Sequence, residues 1–73
     1  MSDITVHIDE TLAEDRRASL SDKIRTHAGV QNVRQTPSAP HLLVVDYDPG
    51  QVHSDQILAW VRDEGVHAEL LGL

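Results

Sequence analysis

The sequence predicts an α+β fold: one four-stranded antiparallel sheet with two helices on one of its faces. Three observations predict it. Along 73 residues the apolar period switches from two to 3.6 and back, twice. Caps and breakers stand at the switches. The resulting order is strand, helix, strand, strand, helix, strand.

The first strand is "ITVHI", residues 4–8, where Ile4, Val6 and Ile8 alternate with Thr5 and His7. "DETLAEDRRASLSDKIRTHAG" follows as a helix over 12–27. Asp9 or Thr11 can cap it, and Glu10, Glu14 and Asp15 suit the positive end of its dipole. Ala13, Leu20 and Ile24 share one stripe. Arg25 and His27 suit the last turn, and Gly29 the position just past it. "VQNVRQ", residues 30–35, reads as a short polar strand. "TPSAP" breaks it, because proline cannot donate to a ladder. "HLLVVDY" is the strongest strand signal, with its pairing expected over 42–47, and "DPG" ends it. Ser54 is the expected cap of a second helix over 54–64, with Ile57, Leu58 and Val61 on one side and Gly65 at its end. "VHAELLGL" supplies the last strand, 66–71. No internal repeat, low-complexity segment or linker interrupts this order, so residues 1–73 read as a single domain.

This order is the ferredoxin-like βαββαβ split motif. Two right-handed crossovers put both helices on one face, with strand order 4-1-3-2. The expected core is Ile4, Val6, Ile8, Leu20, Ile24, Val33, Leu43, Val45, Ile57, Val61 and Leu70.

Composition excludes several function classes. Twelve acidic against six basic residues give a formal charge of −6. That argues against nucleic acid, which is bound through Lys and Arg on phosphates, and against an anionic membrane surface. No apolar run approaches the roughly 20 residues of a membrane span, so no membrane insertion is expected. "MSDITVHID" has neither a basic nor an apolar leader pattern, and the cytoplasm is the expected location. Zero cysteines remove disulfides, thiolate metal sites and cysteine catalysis together. A chain of this size buries only about 60% of its unfolded surface. It relies on its core or on a partner.

Three segments carry a resemblance: "GVQNV" (29–33), "VDYDPGQV" (45–52) and "ILAWVRDEGVHAEL" (57–70). In this order and spacing they resemble the heavy-metal-associated (HMA) domain family. That family includes copper chaperones, the periplasmic mercury-binding protein and the N-terminal domains of metal-transporting ATPases. The resemblance covers about the last 45 residues well and the first strand and helix loosely. It implies the same ferredoxin-like fold and an M-x-C-x-x-C loop after the first strand, whose two thiolates clasp a soft ion such as Cu(I). Here the corresponding segment is "DETLAEDRR". The cysteine positions fall on Ala13 and Arg16, or on Thr11 and Glu14, and none offers a soft ligand. Arg16 or Arg17 brings positive charge where the cation belongs. The resemblance therefore implies the fold and withholds the site.

Five histidines remain: His7, His27, His41, His53 and His67. Imidazole binds Zn(II), Cu(II) or Ni(II). Antiparallel pairing of the first and last strands brings His7 towards His67, with Glu69 on the face of His67. A His7, His67 and Glu69 site is the metal alternative; the competing expectation is exposed histidines on a solvated sheet and no bound metal. "DYDPGQ" lacks the ligand count of a calcium loop and reads as a turn. Ser19, Ser21, Ser38 and Ser54 stand in no motif with a histidine and a carboxylate. No Gly-rich phosphate loop is present. Neither an enzyme nor a resident cofactor is expected.

Two apolar features exceed what a core needs. If Leu43, Val45 and Tyr47 face the helices, Leu42 and Val44 face outward on the open sheet, joined by Leu71. Trp60 flanks the stripe of the second helix, and Trp is enriched at binding hot spots; the competing expectation is that it folds over the sheet edge to enlarge the core. The resulting expectation is a non-enzymatic binding module without the thiolate site, used for protein contact or self-association as a homodimer. The alternative is a metal carrier or sensor with histidine and carboxylate ligands. A ligand-sensing domain of the ACT type shares the topology and needs a cleft in a dimer.

Overall fold

The computed structural model describes residues 2–71. Its elements run β1 Ser2–Ile8, α1 Glu14–Arg25, β2 Val30–Thr36, β3 Ala39–Tyr47, α2 Ser54–Arg62 and β4 Ala68–Leu71. The four strands form one antiparallel sheet in the order β2-β3-β1-β4. This is the predicted ferredoxin-like order, with β1 and β3 in the centre.

The sheet's inner face comes from period-two alternation. Ile4, Val6 and Ile8 of β1 and Leu43, Val45 and Tyr47 of β3 are all buried. Leu20 and Ile24 of α1 and Ile57 and Val61 of α2 pack onto them. Val52, Val66 and Ala68 also belong to this core, and Leu70 only flanks it, half-buried. Leu20, Ile24 and Ile57 are the largest side chains with almost no exposure. Truncating any of them to Ala costs about 2–5 kcal/mol, comparable with the whole stability of so small a domain.

Several local expectations are corrected. α1 starts at Glu14, and its N-cap is Ala13, which makes no side-chain cap bond. Neither Asp9 nor Thr11 caps it, and Ala13 is exposed rather than part of the buried stripe. The N-cap of α2 is His53, not Ser54. Gln56 on the first turn accepts the His53 N–H at 2.9 Å, so the helix is closed from inside. The prolines do not clear the sheet either. Pro37 and Ser38 make the β2–β3 turn, while Pro40 lies within β3. The last partner pair of β1 and β3 is His7 with Leu42, so Pro40 sits beyond the end of β1. No ladder bond from β1 is lost there.

Gly29 and Gly65 end the two helical segments at φ +92° and +86°. Both lie in the left-handed region where only glycine is unstrained.

Candidate functional site

The β1–α1 connection, residues 9–13, is where the resemblance puts a metal loop. It is held by polar bonds. Glu10 reaches across to the start of β4 and accepts the His67 backbone N–H at 2.8 Å and lies 2.6 Å from the His67 Nδ1. This contact holds the Glu10 carboxyl below the usual carboxylate range and raises the His67 imidazole above its ordinary value. Arg17 turns back and donates to the Leu12 carbonyl at 2.9 Å. Arg16, in the first turn of α1, donates to the Glu64 carbonyl, 2.6 Å away beyond the end of α2. Glu64 also meets Lys23 at 2.9 Å, and that bond lowers its carboxyl pKa. Each basic side chain of this region is thus spoken for by an oxygen within the fold.

The same segment shows why a soft ion does not fit. Cu(I) and Hg(II) need thiolate or thioether ligands. The chain has no cysteine, and its single methionine, Met1, lies outside the described residues.

The sheet's open face has three zones. At one end Asp3 and Asp46 stand opposite each other, and Arg34 spans both at 3.5 and 3.0 Å. In the middle Val44 pairs with Thr5, which pairs in turn with Leu71. Leu42 pairs with His7 one step further along. Leu42 and Val44 are half-buried, and Leu71 is 39% exposed. Trp60 lies on α2, half-buried against the core, away from these three. Its indole stacks on His27 at the end of α1, so one ring face is already covered.

At the far end of the face, His7, Asp9 and Glu69 converge. Glu69 is the Cα partner of His7 across the β1–β4 pair. Asp9 is one residue past β1, yet its N–H still donates to the His67 carbonyl at 2.9 Å. It therefore stays on the face of His7. The His7 Nδ1 lies 3.2 Å from Asp9 Oδ1 and 3.7 Å from Glu69 Oε1. Of the residues foreseen as a metal alternative, the fold brings His7 and Glu69 together and leaves His67 out, because His67 is paired with Glu10. Asp9 takes its place. The signal in the sequence is the alternation His7-x-Asp9, which Asp9's aptness as a helix cap masks.

No family model and no curated protein matches this chain. Solved structures do. The copper-binding domain of HMA7, a P-type ATPase, superposes with a TM-score of 0.88 at 22% identity, over 99% of this chain and 96% of that one. The yeast copper transporter domain Ccc2a, solved in apo and Cu(I)-loaded states, gives 0.83 at 18% identity, over 96% and 94%. Oxidized MerP from Ralstonia metallidurans CH34 gives 0.85 at 15% identity, over 97% of each chain. The chain therefore has the ferredoxin-like fold of heavy-metal-associated domains, without a cysteine to form their C-x-x-C motif. Among the described residues no helix is long and apolar enough to cross a membrane.

Proposed function

We propose that this chain is a non-enzymatic protein-binding module that keeps the HMA fold and has exchanged its thiolate loop for a fixed polar one. The observation that carries the reading is the β1–α1 connection. Glu10 within it and Arg16 and Arg17 in the first turn of α1 bond to groups of the chain itself, with no cysteine in reach of a soft ion. Catalysis has no support from the serines: Ser21, the one buried serine, is bonded to Gln35, not to a histidine.

The contact surface is the open face of the sheet. Leu42, Val44 and Leu71 form its apolar band. Asp3, Asp46, Asp9 and Glu69 flank the band, with Arg34 as the cation that meets Asp3 and Asp46. The favoured partner is a protein with an apolar centre and a Lys- or Arg-bearing rim, since opposite rims steer association and suppress wrong partners. Apolar area removed from water contributes about 25 cal/mol per Å² before association costs are subtracted.

The test uses the double variant Leu42→Thr, Val44→Thr. Threonine suits a strand, so circular dichroism should be unchanged. Light scattering and affinity capture are then run on both proteins, with the captured partner purified and mixed back. The expected result is a basic-rimmed partner that binds the wild type and not the variant. A concentration-dependent homodimer that the variant abolishes would keep the face and replace the partner. Identical behaviour of the two proteins in every assay would overturn the reading.

A further inference from the structure

The geometry points to a metal site away from the β1–α1 loop and of harder donors: His7, Asp9 and Glu69 bind a borderline divalent cation such as Zn(II) on the open face of the sheet. The inference does not depend on the docking reading above.

Three features carry it. The first is the convergence of donors from fixed backbone positions. His7 and Glu69 are cross-strand partners, and Asp9 is held in register by its N–H bond to His67. One ligand atom from each lies within 4.8 Å of the others. Zinc bonds of about 2.0–2.2 Å at a tetrahedral angle put ligand atoms about 3.4 Å apart. The His7 Nδ1 distances to Asp9 and Glu69, 3.2 and 3.7 Å, bracket that value.

The second feature is the His7 Nδ1 itself. It is buried and makes no hydrogen bond among the described residues, although two carboxylate oxygens stand near it. The Asp9 oxygen at 3.2 Å makes no hydrogen bond with it, and the Glu69 oxygen at 3.7 Å is too far to make one. With the proton on the other ring nitrogen, the Nδ1 offers a lone pair beside two carboxylates, and a cation placed between them is attracted by all three groups. The ring is also restrained from behind. His41 stacks on it with centroids 6.0 Å apart, and the His41 Nδ1 is fixed 2.8 Å from the Ile8 carbonyl.

The third feature is the donor set and its openness. One imidazole and two carboxylates suit Zn(II), Ni(II) or Co(II), not Cu(I). Asp9 and Glu69 side chains are 62% and 65% exposed, so solvent can complete the coordination. Arg62 lines the same shallow groove as Asp9 and Glu69. Its Nε is committed to the Ala68 carbonyl at 3.0 Å.

The test titrates chelator-treated full-length protein with zinc chloride, read by calorimetry and by histidine side-chain NMR. The expected result is one equivalent, with the His7 ring signals shifting first. Glu69→Gln and His7→Gln should each weaken binding at least about tenfold, since even residues behind the ligands of a zinc site matter by 10–100-fold. His67→Gln should leave it unchanged, as should Val44→Thr, which separates this site from the docking band. Glu69 is exposed, so its variant should fold as the wild type does. The inference is overturned if no saturable binding occurs up to about millimolar zinc, where free energy falls to roughly 4 kcal/mol. It is equally overturned if Glu69→Gln binds as tightly as wild type, or if binding follows His67 or His53 instead of His7.

Discussion

The His27 imidazole lies flat on the Trp60 indole, with ring centroids 3.7 Å apart and planes within 5°. His27 follows the C-cap of α1, and Trp60 sits in the last turns of α2. The stack therefore ties the two helices together at one end, outside the sheet's own ladder. Trp60→Ala should lower unfolding free energy by about 2 kcal/mol, below the 3–5 of a fully buried Trp because this one is half-buried. His27→Ala should cost less. A double-variant cycle by urea denaturation should give a coupling of about 0.5–1.5 kcal/mol. No coupling would mean that the rings merely adjoin.

The stack also marks how far the sequence could be read. Alternation and helical stripes predict the order of elements, the strand order and ten of the eleven expected core residues, because each follows from a period along the chain. Leu70 is the exception, half-buried near the end of the short β4. Side-chain partners across elements have no such period. His27 and Trp60 are 33 positions apart in sequence, and nothing local joins them. The same holds for Glu10 with His67. That pairing takes His67 from the cluster with His7 and leaves the place to Asp9. Pro40 misleads differently: a proline is excluded only where a neighbouring strand needs its N–H, and β1 ends before it.

Soft metals should not bind tightly. Against a competing chelator, the protein should take up no stoichiometric Cu(I) or Hg(II), since neither Ala13 nor Arg16 nor Thr11 nor Glu14 offers sulfur. Stoichiometric Cu(I) retention would show that a ligand set other than thiolates serves a soft ion here.

Two glycines with similar backbone angles should respond differently to alanine. At Gly29 a Cβ would run into Val52 Cγ2 and crowd the Gln51 side chain. At Gly65 it would meet nothing within 4 Å. Gly65→Ala should cost only the left-handed backbone strain, about 1–2 kcal/mol. Gly29→Ala adds a clash with a buried valine and should cost about 1–3 kcal/mol more. Equal midpoints in urea would refute the steric part of this account.

Acid should act through Glu64. Its bond to Lys23, with Arg16 nearby, lowers its folded pKa below the ordinary 4.5. A group so shifted contributes stability that is present above the unfolded value and lost as pH falls through the folded one. Wild type should therefore exceed Glu64→Gln in thermal midpoint near neutrality. The difference should shrink once the pH drops below about 4.5 and vanish below the folded pKa. A difference that persists unchanged at the acid end would assign the effect to packing of the side chain rather than to its charge.

The Glu10 and His67 contact makes a local prediction rather than a global one. The Glu10 side chain bridges the β1–α1 connection to the residue before β4, and it holds both the backbone N–H and the ring of His67. Both groups sit at the surface, where ion pairs add little to global stability. Their effect should appear instead in local opening, which spans a wide range of free energies within one protein. Glu10→Ala leaves the His67 N–H without its acceptor and frees residues 10–13 on that side, while the Asp9 N–H keeps its bond to the His67 carbonyl. Amide exchange at His67 should quicken several-fold or more, while Val6 and Val45 in the central strands exchange as before. Proteolysis should likewise begin within 10–13. Should His67 exchange at an unchanged rate in the variant, the Asp9 N–H bond to His67 and the Arg17 bond to Leu12 hold the connection without Glu10, and the proposed replacement of a metal loop by a polar clasp loses its main support.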